Sequence, residues 1–593
     1  MKRIAPWLLL AAALPAVAQP QADPVLKAMQ DEIARCSALK MFSGAAPYYI
    51  EYGLEDNANL VVSASLGSLI QSRQVRFRIP RIQIRVGDYQ ADNTNFLGTD
   101  FYSGTRYDVD QFPIDDNYGV LRHHLWLATD MAYKQASAAF SQKRAALRNV
   151  TLNEQLPDFF RASPAEKVTD ARVRPFDEAA WAVRVRRVSA LFADYPVVSL
   201  SSVSFEGGRG VQYLLTSEGT RLRLPENSTA LRIRATAQAP DGTVLRDAVV
   251  FHSLEADRMP ADAEFERGAK EVAGNLTALV RAPVGEAYSG PVLFEGKASA
   301  QMFAEVLGKN LALVRRPVSL PGRPLPMAPS EFENKIGARV LPEWMDVADD
   351  PTLEQWRGRA LFGHYDFDLE GVPAERVSLV EKGVLKALLL TRQPAKGFDR
   401  SNGHARMPGA FGAKAAGIGN LFVNAGGGVP SAQLRQKLID ACRERNKPYG
   451  ILIRKMDYPS SASFEEIRRF LTGMTQSGGG GRPVSPPTLV YRVYQDGHEE
   501  LVRGLRLRGF NTRSLKDITA ASDEAFRFDL YDNTAPFAVM GGASWVSEAS
   551  VIAPAVLIDD VELEPAQDDL PKVPLVPAPP LTASAEQKAG PVR

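Results

Sequence analysis

Cysteine is nearly absent from this chain: Cys36 and Cys442 are the only two in 593 residues. Two cysteines cannot build a disulfide framework, which leaves a single Cys36–Cys442 bridge or two separate buried thiols as the alternatives. Histidine is scarce too, at six. The one His-Glu pair, His498-Glu499, has no second histidine four residues on, so the usual zinc-protease helix spacing fails. No Gly-x-Ser-x-Gly elbow occurs, and no Cys–His pair can be argued, which removes the familiar acyl-transfer nucleophiles. Charge of either sign is not in excess: 70 Lys and Arg stand against 69 Asp and Glu. Nothing global would attract nucleic acid or an anionic membrane. Beyond the first 18 residues there is no apolar run approaching the ~20 residues of a membrane span.

What is present is ordinary globular material, 45% hydrophobic and 23% charged, long enough for roughly two to four domains. The first 18 residues have the segments of a secretory signal. Lys2 and Arg3 are followed by an apolar stretch, Trp7 to Leu14, and by Ala16-Val17-Ala18 before Gln19. Export, periplasmic or secreted, with cleavage after Ala18 is therefore expected. No cysteine follows the cut, so no lipid anchor is indicated.

Periodicity predicts a helix over 24–43, short strands at Tyr48–Tyr52 and Leu60–Ser65, and alternating strand residues over Arg73–Val86 broken near Pro80. The arginines of that stretch lack interleaved aromatics and are expected on a solvated sheet face rather than in a nucleic-acid patch. A long helix is expected from Tyr118 to Leu147, with His123 and His124 diverging by about 100° near its start. From Ala179 to Leu254 the pattern predicts strands with turns at Ser217-Glu218-Gly219 and Pro240-Asp241-Gly242. Residues 262–281 return to helix. Domains at 19–282 and 283–564 are expected, then a disordered Pro/Ala-rich tail at 565–593.

Three segments of the second region together resemble the TldD/PmbA family, whose founding members were called modulators of DNA gyrase. The first is Tyr288–Glu295 with the following helix Ala298–Gly308. The second is Phe367-Asp368-Leu369-Glu370-Gly371-Val372-Pro373, a hairpin turning at Glu381-Lys382-Gly383, and Ser401–Arg406. The third is the closing strand Ala553–Val561. The hairpin itself is legible without the family, because apolar strands flank turn residues. The resemblance implies an α+β, two-domain architecture: an N-terminal α/β domain with an antiparallel sheet and a C-terminal, largely antiparallel β-rich domain. It also implies a cleft holding peptide, with His364, Asp368, Glu370, His404 and Arg406 as candidate binding residues.

In peptidase members the helix carries His-Glu-x-x-x-His and a later cysteine completes a zinc site. Here the matching stretch is Ala304-Glu305-Val306-Leu307-Gly308-Lys309, so only Glu305 of that motif remains. A catalytic zinc needs three protein ligands and an open position. A charged lysine about 4 Å from a divalent ion would oppose it by roughly 8 kcal/mol at an effective dielectric near 20. Expected cofactors are therefore none, with zinc as the alternative should ligands have moved. The helix-stabilising alternative is an ion pair between Glu305 and Lys309 at i, i+4. The resemblance further implies a linear or unfolded peptide as partner, and a homodimer or a heteromer with a related subunit. Gly478–Gly481 is read as a flexible loop, since the prolines behind it preclude a phosphate-cradling helix.

Overall fold

The computed structural model describes residues 23–37, 46–97, 112–148, 156–319, 330–408, 413–458, 484–532 and 546–566, and 570–574, 576 and 579 of the C-terminal stretch. The predicted signal segment and Gly478–Gly481 lie outside the described residues.

The first sheet is dominated by strands of unusual length. β1 (Pro47–Ser65) and β2 (Ser68–Val86) form a hairpin of two 19-residue strands. β3 (Val198–Thr216), β4 (Arg221–Gln238) and β5 (Val244–Ser253) continue the antiparallel order β2-β1-β3-β4-β5. The two short strands predicted within 48–65 are thus one. Pro80 does not break β2, because β2 stands at the sheet edge, where a missing N–H costs no ladder bond.

Side chains alternate across a strand, and the alternation separates two jobs. On one face Leu60, Val62, Val203, Phe205 and Ile233 meet α3 (Glu178–Ala190) and α4 (Asp262–Arg281), with Trp181 stacked on Phe205 at 3.6 Å. Further along the same face, Ile50, Tyr52, Ile82 and Ile84 meet α1 (Pro24–Cys36) and α2 (Tyr118–Leu147). α2 and α4 have the bounds the periodicity predicts. α1 ends at Cys36, short of the predicted 43, with Ser37 as its cap. The strand reading of 179–190 was wrong. Asp177 Oδ1 accepts from the Ala180 N–H and starts a helix there, while Val183 and Val185 between Arg184 and Arg186 imitate a strand's alternation.

The second sheet is mixed. β6 (Tyr288–Phe294), β7 (Met345–Asp349), β8 (Val377–Glu381), β9 (Val384–Leu385), β10 (Asn420–Ala425), β11 (Tyr449–Met456), β12 (Pro487–Tyr494) and β13 (Glu499–Val502) join two long strands, β14 (Ile518–Asp532) and β15 (Ser547–Pro565). The order runs β9-β8-β7-β10-β15-β6-β11-β12-β13, with β14 also paired to β15. The β10–β15 and β11–β6 pairs are parallel, and the other pairs of this order are antiparallel. The closing strand predicted at 553–561 is the centre of β15, buried almost throughout. The predicted hairpin is the β8–β9 pair.

Cys36 and Cys442 are both buried and both free, one in α1 and one in α6 (Ser431–Glu444). Among the described residues no helix is long and apolar enough to cross a membrane. Part of the predicted tail is ordered onto the first domain: Gln238 Nε2 donates to the Pro571 carbonyl at 2.9 Å.

Candidate functional site

Strand β6 delivers the chain through Gly296 (φ 61°) into α5 (Lys297–Phe303), and the motif residues follow as a π-helical turn, Ala304–Gly308. The widened turn is closed by the Lys309 N–H, which donates to the Ala304 carbonyl five residues back. In a regular α-helix, positions five apart diverge by about 140°. An i→i+5 turn brings them nearly into line, which is the geometry a His-Glu-x-x-x-His motif needs to aim both rings at one ion. The backbone shape is therefore present where the imidazoles are not.

Glu305 itself is occupied. Oε1 accepts from Gln301 Nε2 at 2.8 Å and Oε2 from the Ser485 N–H at 2.6 Å. Gln301 is tied in turn to the Asp457 carbonyl at 2.7 Å. A methyl group, an ammonium and a carboxylate already bonded on both oxygens do not fit a zinc ion. Among the described residues no three His, Cys, Asp or Glu side chains are grouped to hold a metal. The stretch 541–550 contains no cysteine, and its residues 541–545 lie outside the described set.

Beside this turn the first domain inserts a histidine that the sequence reading did not single out. His252 of β5 sits among Phe362, Tyr458 and Tyr531, with ring centroids 4.9, 6.0 and 5.3 Å away. Its Nε2 lies 3.2 Å from the Tyr458 hydroxyl. Burial first, then the charges of Arg232, Arg527 and Lys297, pushes the imidazole down to about 3, so it is neutral at physiological pH. Tyr458 adjoins Asp457, whose carbonyl holds Gln301, so the two domains meet within one residue of the Glu305 network.

The other predicted residues gather elsewhere, at a second joint between the domains. Asp368 opens the turn containing Gly371 (φ 75°), where an added Cβ would stand 2.8 Å from Thr220 Cγ2 of the first domain. The Asp368 carboxylate accepts from the backbone N–H groups of Glu370, Val372 and Ala405 at 2.9, 2.9 and 3.0 Å. Burial pushes it up to about 6 all the same. Burial, with the neighbouring Asp368 charge, raises Glu370 to about 7. Glu370 Oε2 accepts from the Arg392 N–H at 2.6 Å. The Arg392 guanidinium then crosses into the first domain, bonding Glu218 at 2.7 and 2.8 Å and the Phe160 carbonyl at 2.6 and 2.9 Å.

His404 is fully buried, its Nδ1 2.7 Å from the Asn402 carbonyl and its Nε2 3.2 Å from Asp349 Oδ1. His364 Nδ1 is bonded to the Pro351 carbonyl at 2.9 Å. Arg406 stacks on Tyr365 at 3.9 Å and reaches the Glu548 carbonyl at 3.3 Å. Asp368, Glu370 and His404 thus share one buried neighbourhood, and both ring nitrogens of His404 are engaged within it. Arg392, Glu218 and Lys414 were missed, since single charged residues far apart in sequence carry no motif.

The motif turn thus lies where the lead strand of a mixed sheet enters a π-turned helix, against a long-stranded antiparallel domain. Residues 287–457 match the PmbA/TldA metallopeptidase C-terminal domain. A metalloprotease of Archaeoglobus fulgidus is 39% identical over 78 residues, 13% of this chain and 17% of that protein. One from Methanocaldococcus jannaschii is 37% identical over 81 residues, 14% of this chain and 17% of that protein. The chain thus spans about 17% of the length of the curated relatives it matches. In fold it is similar to TldE from Thermococcus kodakarensis, with a TM-score of 0.54 at 13% identity over 90% of this chain and 99% of that one. It is similar also to a protein of Thermotoga maritima described as a modulator of DNA gyrase, with a TM-score of 0.54 at 14% identity over 87% and 96% of the two chains. Residues 287–457 are thus similar to the PmbA/TldA metallopeptidase C-terminal domain, and the chain as a whole shares the fold of TldE and of that modulator protein.

Proposed function

We propose that this chain is an exported, non-catalytic member of the TldD/PmbA family that binds linear or unfolded peptide, alone or as partner to a related subunit. The observation that carries the reading is the π-turn with Ala304 and Lys309 at its two ends and Glu305 bonded on both oxygens. A turn shaped for two imidazoles but furnished with a methyl and an ammonium is what a subunit retaining architecture without hydrolysis would display. Metal analysis of the purified full chain tests the reading. Zinc well below one per chain is expected, and about one firmly held zinc per chain overturns it. N-terminal sequencing of the exported protein is expected to begin at Gln19, and anisotropy of a labelled unstructured peptide is expected to saturate.

The names of the curated relatives favour a second reading, an active metallopeptidase with relocated ligands. It requires chelator-sensitive hydrolysis of unfolded peptides that is lost on Glu305→Gln. The engagement of both His404 nitrogens argues against that residue as a replacement ligand.

A further inference from the structure

The joint around Arg392 holds more acid than base. Glu51 and Glu218 come from the first domain and Asp368 and Glu370 from the second. The cations set against these four carboxyls are Arg392 and Lys414. Lys414 Nζ bonds Glu51 at 2.7 Å, and Arg392 bonds Glu218 at 2.7 Å. Arg85, also near Glu51, is taken up by Asp92 at 2.7 Å. His404, facing Asp368, is matched with Asp349. Tyr49 adds only a hydroxyl, donated to Glu51 at 2.9 Å. Asp368, Glu370, Glu51 and Arg392 are all buried. Four ionised carboxylates against two cations would leave a net double negative charge with little water to solvate it.

We propose that this joint is a proton-held latch: protons kept by the Asp368–Glu370 pair seat the two domains, and their loss loosens the contact that Arg392 makes with Glu218 and Phe160. The turn is built to transmit such a change. Glu370 receives the Arg392 backbone N–H, so its charge acts on the residue that crosses the boundary, and Gly371 leaves no slack against Thr220.

Both carboxyls are held above their ordinary values, to about 6 and about 7. The closed joint therefore binds protons that an opened one releases. Its stabilisation is full at acidic pH and is lost as pH rises through 6 and then 7. Each proton held only by the closed joint changes the opening constant by about tenfold per pH unit between the ordinary carboxyl value and the raised closed-state value, and by nothing above it.

Hydrogen–deuterium exchange of the full chain between pH 5.5 and 8.5, corrected for intrinsic exchange, tests this. Protection of peptides spanning 388–394 and 214–220 is expected to fall by about tenfold per pH unit or more up to about pH 7 and to level off above it, while the centre of β15 holds steady. Glu370→Gln, by removing one carboxyl, is expected to flatten that profile. Should it not fold, Glu218→Gln removes one negative charge on the other side, lets the Asp368–Glu370 pair ionise more easily, and is expected to shift the levelling-off downward in pH. Lys414→Met, by removing a cation that favours the ionised Glu370, is expected to shift the levelling-off upward. A flat profile in the parent chain, or shifts in Glu218→Gln and Lys414→Met of the same sign, would overturn the proposal.

Discussion

The motif turn at Ala304–Lys309 and the joint at Arg392 are opposite in character. The first keeps a backbone conformation whose usual occupants are gone. The second is dense with ionisable groups and looks inward rather than to a cleft. Backbone shape survives the loss of side chains, because an i→i+5 turn is held by main-chain bonds and by the core around Phe303 and Val306. A buried charge cluster survives only if every member keeps a partner, because an orphaned ion there is expensive.

Breaking the joint should have the largest effect. Arg392→Met leaves Glu218 without its cation, and denaturant unfolding is expected to show a loss of about 3–5 kcal/mol. A loss under about 1 kcal/mol would mean that the cluster contributes little. The next test sets the two interdomain contacts against each other through acid. His252 is held down to about 3 against an ordinary 6.5, so the unfolded chain takes up a proton that the folded chain refuses. Its contribution is complete above pH 6.5 and falls as pH drops, by about 1.4 kcal/mol per pH unit. His252→Phe should remove that acid sensitivity, measured as the pH dependence of the denaturant midpoint, and leave the alkaline behaviour of the joint unchanged.

The motif turn can be sharpened by restoring its missing groups. Ala304→His with Lys309→His is expected to raise zinc affinity at least about tenfold in a chelator-competition titration, worth about 1.4 kcal/mol. No gain would mean that the widened turn does not align the two positions. The smallest change expected is Glu305→Gln. The single amide oxygen keeps one of the two donors, Gln301 Nε2 or the Ser485 N–H, while the other faces an NH2, so the stability loss should be about 1 kcal/mol, with peptide affinity unaltered in the anisotropy titration.

Much of the fold was legible because it rests on local pattern. The 3.6-residue stripes of α2 and α4 and the turn residues at 217–219 and 240–242 need no distant partner to be seen. The helix at 178–190 was not, since Val183 and Val185 alternating with Arg184 and Arg186 imitate a strand and only the Asp177 cap and the Trp181 contact decide for the helix. The length of β1 was hidden for a related reason: Glu55, Asn57 and Asn59 read as a loop until β2 and β3 are paired on either side. In the candidate site, Glu305 and its altered neighbours were legible because a motif is a spacing. His252, Arg392, Glu218 and Lys414 were not.

By itself the sequence determined which groups exist at the motif, a methyl, a carboxylate and an ammonium in fixed order, and so what a metal would find there. It also determined the Asp368–Glu370 turn, through a glycine that alone tolerates its backbone there. Only the tertiary structure decided that the motif stretch winds as a π-turn and that Glu305 is bonded through Gln301 and Ser485. Only it decided that residues 174 positions apart, Glu218 and Arg392, share a largely buried ion pair. Sequence carries local conformational preference, whereas burial and the charge balance that follows from it depend on which distant segments exclude water together.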